Sequence, residues 1–356
     1  MGNGWERRPR NVAQGIVAPI LKRVNHDEGN GRMLVTGVTA IHIRRMNMFV
    51  FSGMVAALAF GGSSGPTVEG LPGAPGSDSL AAHIRERAAQ VPGAVIGVAF
   101  HDLQTNDSLF LNADDSFHAA STMKVPVMIE LFRRIDAGAL GLDQGILLVN
   151  QFGSIVDGSP YSLDQGDDSD SSAYGLVGSR VPVRDLIDRM ITRSSNLATN
   201  ALIELVGATQ ADATAHALGA RNIRVLRGVE DGKAFAAGLN NTTTARDLGV
   251  LLEAIETGRA ASAGSCTRMR DILLHQEFNT EIPAGLPAGT KVAHKTGWIT
   301  GVLHDAAIVY PAGRRPYVLV VLTRGIPDEK VARSLIVDVS RLVYAHVMAN
   351  RVATDS

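Results

Sequence analysis

The chain has 356 residues, of which 45% are hydrophobic, 19% charged and 5% aromatic, a balance that excludes a disordered or fibrous protein. Lys+Arg number 34 and Asp+Glu 35, so the formal net charge of −1 gives no global pull toward nucleic acid or an anionic membrane. One cysteine, Cys266, excludes an intrachain disulfide and a Cys-rich zinc site, and no apolar run reaches the roughly 18 residues of a spanning helix.

Residues 1–45 carry no sustained period and read as a possible non-native extension, with Met33, Met46 or Met48 as alternative starts. Arg44-Arg45 precede an apolar stretch from Phe49 to Phe60, and Gly61-Gly62-Ser63-Ser64-Gly65-Pro66 follows. A basic region, an apolar core of about 7–15 residues and small residues afterwards predict an export signal and linker over 46–77. The body is expected to be 78–356, with export to a periplasmic or extracellular compartment. No membrane span is expected once the signal is removed.

In the body, Ser79–Gln90 reads as a helix, with Leu80, Ile84 and Ala88 four apart. Ala94–Phe100 and Ser108–Leu111 read as strands joined by a turn at Gln104–Asp107. Ser121–Asp136 predicts an amphipathic helix, and Gln151–Gly178 a long surface excursion. Three short helices are expected at Val183–Thr192, Asn196–Val206 and Thr209–Leu218, then an ordered loop over Gly228–Asn241. Thr243–Glu256 and Cys266–His275 read as helices, His304–Tyr310 and Tyr317–Leu322 as strands, and Asp328–Asn350 as a closing helix. Strands at both ends with helices between them predict one sheet built from both ends of the chain.

Three short motifs carry chemistry. Ser121-Thr122-Met123-Lys124 puts a hydroxyl and an amine on one helical face, and a partly desolvated Lys can act as base for Ser. Ser194-Ser195-Asn196 lies between two predicted helices, where a hydroxyl and an amide can point into a cleft. Lys295-Thr296-Gly297 adjoins a β segment, where Lys and Thr can meet a carboxylate and Gly allows close backbone approach. Taken singly, each also reads as a helix cap or a solvated edge.

In this order and these settings the three motifs resemble the class A β-lactamase-like serine hydrolases of the β-lactamase and penicillin-binding protein superfamily. The resemblance runs from about residue 80 to the C-terminus. It includes Phe117-His-Ala-Ala-Ser121, Met190-Ile-Thr-Arg-Ser-Ser-Asn196 and Asn241-Thr-Thr-Thr-Ala245. It implies an α/β (α+β) fold: a five-stranded antiparallel sheet flanked by helices, over 78–118 and 290–356. An all-helical lobe over 119–289 is inserted. It further implies that Ser121 is acylated, Lys124 helps deprotonate it, and Ser194 passes a proton to the leaving nitrogen with Lys295 in support. Asn196 would hold a substrate amide, Thr296 and Lys295 its carboxylate, and the N–H groups of Ser121 and Trp298 the oxyanion. Gly297 would let the backbone approach. The substrate would be a small molecule, a β-lactam or a peptidoglycan-like amide, with no cofactor, metal or nucleic acid and a monomeric protein.

The family's Glu-x-x-Leu-Asn motif is missing. Its place is taken by Arg227-Gly-Val-Glu230-Asp231, which makes Glu230 the expected deacylating base and Asp231 the second choice. Both also read as solvated loop charges. The middle residue of Ser-x-Asn is Ser195 rather than the usual Asp, and no Arg follows Lys-Thr-Gly on the next strand. The acidic run Asp164–Asp170 reads as a solvated loop, with Tyr174 just beyond it. A D,D-peptidase or transpeptidase, which acylates but deacylates lactams slowly, is the alternative reading.

Overall fold

The computed structural model describes residues 75–350. The expected signal and linker, the N-terminal extension and the last six residues lie outside that range, apart from Pro75–Ser77. Those three open the first helix, α1 (Pro75–Ala89).

Five strands form the main sheet: β1 (Val95–Asp102), β2 (Ser108–Leu111), β3 (Lys291–Ile299), β4 (Val302–Tyr310) and β5 (Tyr317–Arg324). Their order is β2-β1-β5-β4-β3 and every neighbour is antiparallel. Both chain ends therefore build one sheet, as the sequence pattern predicts. β3 and β4 are joined by Thr300-Gly301, with Gly301 at φ +74°, the left-handed conformation that a two-residue hairpin needs.

Along β5 the side chains divide by parity. Tyr317, Leu319 and Val321 join one core, Val318, Val320 and Leu322 the other. The first core is closed by α1 and the last helix, through Leu80, Ile84, Leu335, Ile336, Val339 and Val343. The sheet is thus covered on both faces, and its middle strand β5 runs apolar and buried from Tyr317 to Leu322 rather than alternating.

Between β2 and β3 run α2 (Lys124–Asp136), α3 (Val183–Thr192), α4 (Asn196–Val206), α5 (Ala208–Ala217), the short α6 (Gly232–Ala236), α7 (Ala245–Glu256) and α8 (Ala263–Leu274); α9 (Glu329–Ala349) closes the chain. Helices α2 to α5, α7 and α8 share one continuous core with the second sheet face: α7 lies across β1, β4 and β5, and α8 packs on β3. No helix among the described residues is long and apolar enough to cross a membrane.

Two expectations are corrected. The helix read from Ser121 begins as a 3₁₀ turn, Ala120–Met123, and becomes α-helical only at Lys124. The Thr122 amide (3.1 Å) and hydroxyl (2.6 Å) both donate to the Ala119 carbonyl, which tightens the turn. The stretch 151–178 is not purely a surface excursion. Phe152, Leu163 and Ala173 enter the core, and Ser154, Asp168 and Asp170 are buried.

Gly325 (φ +78°) closes the sheet end against Gly93: a Cβ there would lie 2.4 Å from the Gly93 carbonyl oxygen. Gly325→Ala is expected to lower the unfolding free energy by about 1–3 kcal/mol, measured by urea titration.

Candidate active site

Residues 117–124 are pinned from three sides. Phe117 and His118 pair with Thr243 and Thr242, and the Ala119 amide donates to the Asn241 carbonyl at 2.9 Å. The buried His304 on β4 reaches the His118 carbonyl through Nε2 at 2.9 Å. Ala120 then takes φ +46°, which an L-residue with a Cβ adopts only when its surroundings force it. Its amide donates to His118 Nδ1 at 3.0 Å. Burial, with Arg227 nearby adding to it, holds the His118 pKa below the usual imidazole range, so the ring can stay a neutral acceptor. The effect is to leave Ser121 partly exposed between buried neighbours.

β3 approaches this turn closely because Gly297 has no side chain. A Cβ on it would lie 3.2 Å from the amide nitrogens of both Ser121 and Thr122 and 3.1 Å from a Thr122 methyl carbon. Residues 295–297 lie within β3, paired with 304–306 on β4, and Trp298 follows with 58% of its surface exposed. Thr296 is nearly buried.

The three sequence motifs meet at Ser194. Its backbone sits at φ +58° in the turn from α3 to α4. The Lys124 Nζ donates to the Ser194 carbonyl at 2.6 Å, to Ser194 Oγ at 3.1 Å and to Asn196 Oδ1 at 2.9 Å. The Lys295 Nζ donates to the same Ser194 Oγ at 3.0 Å and to the Thr296 carbonyl at 2.9 Å. Both amines are fully buried. Burial lowers the Lys124 pKa to about 7, against the pull of Asp168 and Glu230. Burial, and then the Lys124 charge, hold Lys295 well below the ordinary lysine range, while Asp305 and Glu281 act in the opposite direction.

Glu230 belongs to the same cluster. Its Oε1 accepts from Asn196 Nδ2 at 2.5 Å, so Asn196 bridges the Lys124 amine and the Glu230 carboxylate. Glu230 is open to solvent as a residue, but its carboxyl end is crowded. That desolvation, with Asp168 and Asp167, raises its pKa against the Asn196 hydrogen bond and Lys124. Asp231 does a different job. Its carboxylate accepts from the Ser154 hydroxyl (2.9 Å) and the Ile155 (2.9 Å) and Ala234 (3.0 Å) amides, capping α6 and tying 154–155 to the loop. Neither carboxylate is an ordinary solvated loop charge.

Sequence reasoning missed the residues that aim Glu230. Asn200 Oδ1 accepts from the Val229 amide at 2.7 Å and its Nδ2 donates to the Val229 carbonyl at 3.0 Å. Gly228 makes room, since a Cβ there would lie 2.5 Å from Asn200 Oδ1. Asn196 and Asn200 are four apart on α4, and that spacing was the available signal. Arg227, buried, knits the loop through Leu239, Gly228 and Asn240. Asp305, next to His304 on β4, pairs with His294 Nδ1 at 2.9 Å, and His294 and Asp305 are both fully buried. No group of three or more potential metal ligands occurs among the described residues.

Residues 79–347 match the β-lactamase enzyme family, and the chain belongs to it. It is 29% identical to the β-lactamase AST-1 of Nocardia asteroides over 256 residues, covering 70% of this chain and 78% of that protein. Among solved structures it is similar to PBP-A (29% identity, TM-score 0.66, 76% of this chain and 96% of that one). It is also similar to a mutant of the last common ancestor of Gram-negative bacteria class A β-lactamase (26%, TM-score 0.66, 76% and 98%). The fold is that of class A, and the protein is a serine β-lactamase-type hydrolase acting on a small molecule.

Gly297→Ala should push β3 off the Ala120–Met123 turn. Hydrolysis of a chromogenic cephalosporin is expected to slow by at least about 10²-fold, the size of effect that loss of one preorganised hydrogen-bond donor has in acyl-transfer enzymes, with the unfolding midpoint little changed.

Proposed function

We propose that the protein opens β-lactam amides through an ester on Ser121 that water then hydrolyses. The reading rests above all on Ser194 Oγ, hydrogen-bonded by two buried amines whose charge burial disfavours. Having lost one proton, and with it one of its three donated hydrogen bonds, a neutral Lys124 takes the Ser121 hydroxyl proton as Oγ attacks the lactam carbonyl. The oxyanion sits between the amides of Ser121 and Trp298. As the carbon–nitrogen bond breaks, Ser194 gives its proton to the leaving nitrogen and regains one from the lysines beside it. Asn196 holds the substrate's side-chain amide, and Lys295 and Thr296 its carboxylate.

Deacylation is assigned to Glu230. Its carboxylate takes a proton from water as the water oxygen attacks the ester carbonyl, and the proton passes to the departing Ser121 oxygen. Its raised pKa brings it nearer neutrality, which suits a general base, and its solvent access lets water reach it. Export to a periplasmic or extracellular compartment belongs to the same proposal and rests on the Arg44–Pro66 pattern.

The test is a penicillin and a chromogenic cephalosporin followed by rapid-quench mass spectrometry. Turnover with a transient adduct on Ser121 is expected, abolished in Ser121→Ala. Glu230→Gln is expected to form one equivalent of adduct and then turn over about 10²–10⁴-fold more slowly. A parent-rate Glu230→Gln enzyme would remove Glu230 from the mechanism. A long-lived adduct on the unaltered protein would favour the D,D-peptidase reading, with D-Ala-D-Ala stems as substrate.

A further inference from the structure

The acidic run Asp164–Asp170 is unaccounted for by the reaction, yet two of its carboxylates, Asp168 and Asp170, are buried. Asp168 Oδ2 accepts from the amides of Asn196 (3.0 Å) and Leu197 (2.9 Å), the first two residues of α4. Its Oδ1 accepts from the Asp170 amide at 2.9 Å. Ser195 Oγ takes the Ala198 amide at 3.3 Å, so two side chains cap three successive donors at this helix start. The neighbouring Ser169 hydroxyl donates to the Arg193 carbonyl at 2.7 Å and reaches the Ser194 carbonyl at 3.3 Å. Asp170 anchors the segment on Arg189 Nη1 at 2.6 Å. The run therefore grips the Ser194–Asn196 turn along its backbone, while Lys124 and Lys295 hold it from the site.

We propose that residues 168–170 are a positioning element for acyl transfer. In it, Asp168 supplies the carboxylate that the turn's own middle residue, Ser195, does not, fixing Ser194 and Asn196 and serving as counter-charge to the Lys124 amine. The proposal rests on the acyl-Ser121 reading above for its link to rate. Ser194 at φ +58° is strained, and a turn in that state needs partners on every side to persist. The Asp168 carboxylate also acts to raise the Lys124 pKa, as Glu230 does, against the burial that lowers it. Asp168 pushes the Glu230 pKa upward, as does Asp167. Removing the Asp168 charge while keeping its shape should therefore move Lys124 further down.

Six lysines in the chain make a direct reading possible. With lysine side-chain nitrogens labelled by ¹⁵N, the Lys124 amine is titrated by NMR in the unaltered protein and in Asp168→Asn. A downward shift of about 1 pH unit is expected. Asp168→Ala, which also uncaps α4, should lose about 10²-fold in Ser121 acylation rate, with Asp168→Asn restoring most of it at its own optimum. An unshifted Lys124 titration in Asp168→Asn, or parent-rate acylation in Asp168→Ala, would overturn the proposal. The titration needs no lactam. Failure of the unaltered protein to form a Ser121 adduct would refute the acyl-enzyme reading and would be seen separately by mass spectrometry. If Asp168→Ala does not fold, the Asn variant decides.

Discussion

Two lysine amines within about 3 Å of one serine hydroxyl, both out of water, cannot both keep an ordinary lysine's charge. That constraint organises the site. On the proposed mechanism it supplies an amine three residues beyond Ser121 that can take a proton near neutral pH, with Ser194, held by that same amine, as the group that passes one onward. The fold exists around it as a set of approaches. α2 brings Lys124, the turn into α4 brings Ser194 and Asn196, and edge strand β3 brings Lys295. Gly297, where β3 meets the Ala120–Met123 turn, and Gly228, where the Glu230 loop meets Asn200 of α4, are the points at which a Cβ would collide.

The backbone records where the molecule is under load. Among the described residues, the non-glycine positions with φ in the left-handed region are Asn106, Asn112, Ala120, Ser194 and Glu230. Asparagine tolerates that conformation; the other three lack that tolerance, at about 1–2 kcal/mol each. All three belong to the site, one in each of the nucleophile turn, the Ser-x-Asn turn and the Glu230 loop. The strain is offset by the ties around each: His118 under Ala120, the lysines and the Asp168 segment around Ser194, and Asn200 beside Glu230. A site so assembled holds its groups in place before substrate arrives, which is what electrostatic stabilisation of a developing oxyanion requires.

Much of this was legible in the sequence because the reactive side chains travel in short motifs. Ser121 to Lys124 lies within one turn, Ser194 to Asn196 within another, and Lys295 to Gly297 along one strand. The sheet was legible because its central strands are apolar runs at both ends of the chain. What stayed hidden was the hardware that aims those groups. Nothing in Asp164-Gln-Gly-Asp-Asp-Ser-Asp170 marks Asp168 as the carboxylate that turns inward, since that follows from where the loop lands on α4. The 3₁₀ start at Ala120 was equally invisible, because an amphipathic pattern does not register a local change of hydrogen-bond step. Glu230 stands out by its place in the loop, but the Asn200 clamp beside it follows from where that loop lands on α4.

The most direct test is the rate of Ser121 ester formation as a function of pH, measured by rapid quench between about pH 5 and 9 on the unaltered protein. With the Lys124 pKa near 7, that rate should rise with pH and level off once the amine has lost its proton, with a midpoint near 7. A rate that is flat down to the acid end, or one still climbing toward the ordinary lysine range, would contradict a neutral buried amine as the group that takes the serine proton.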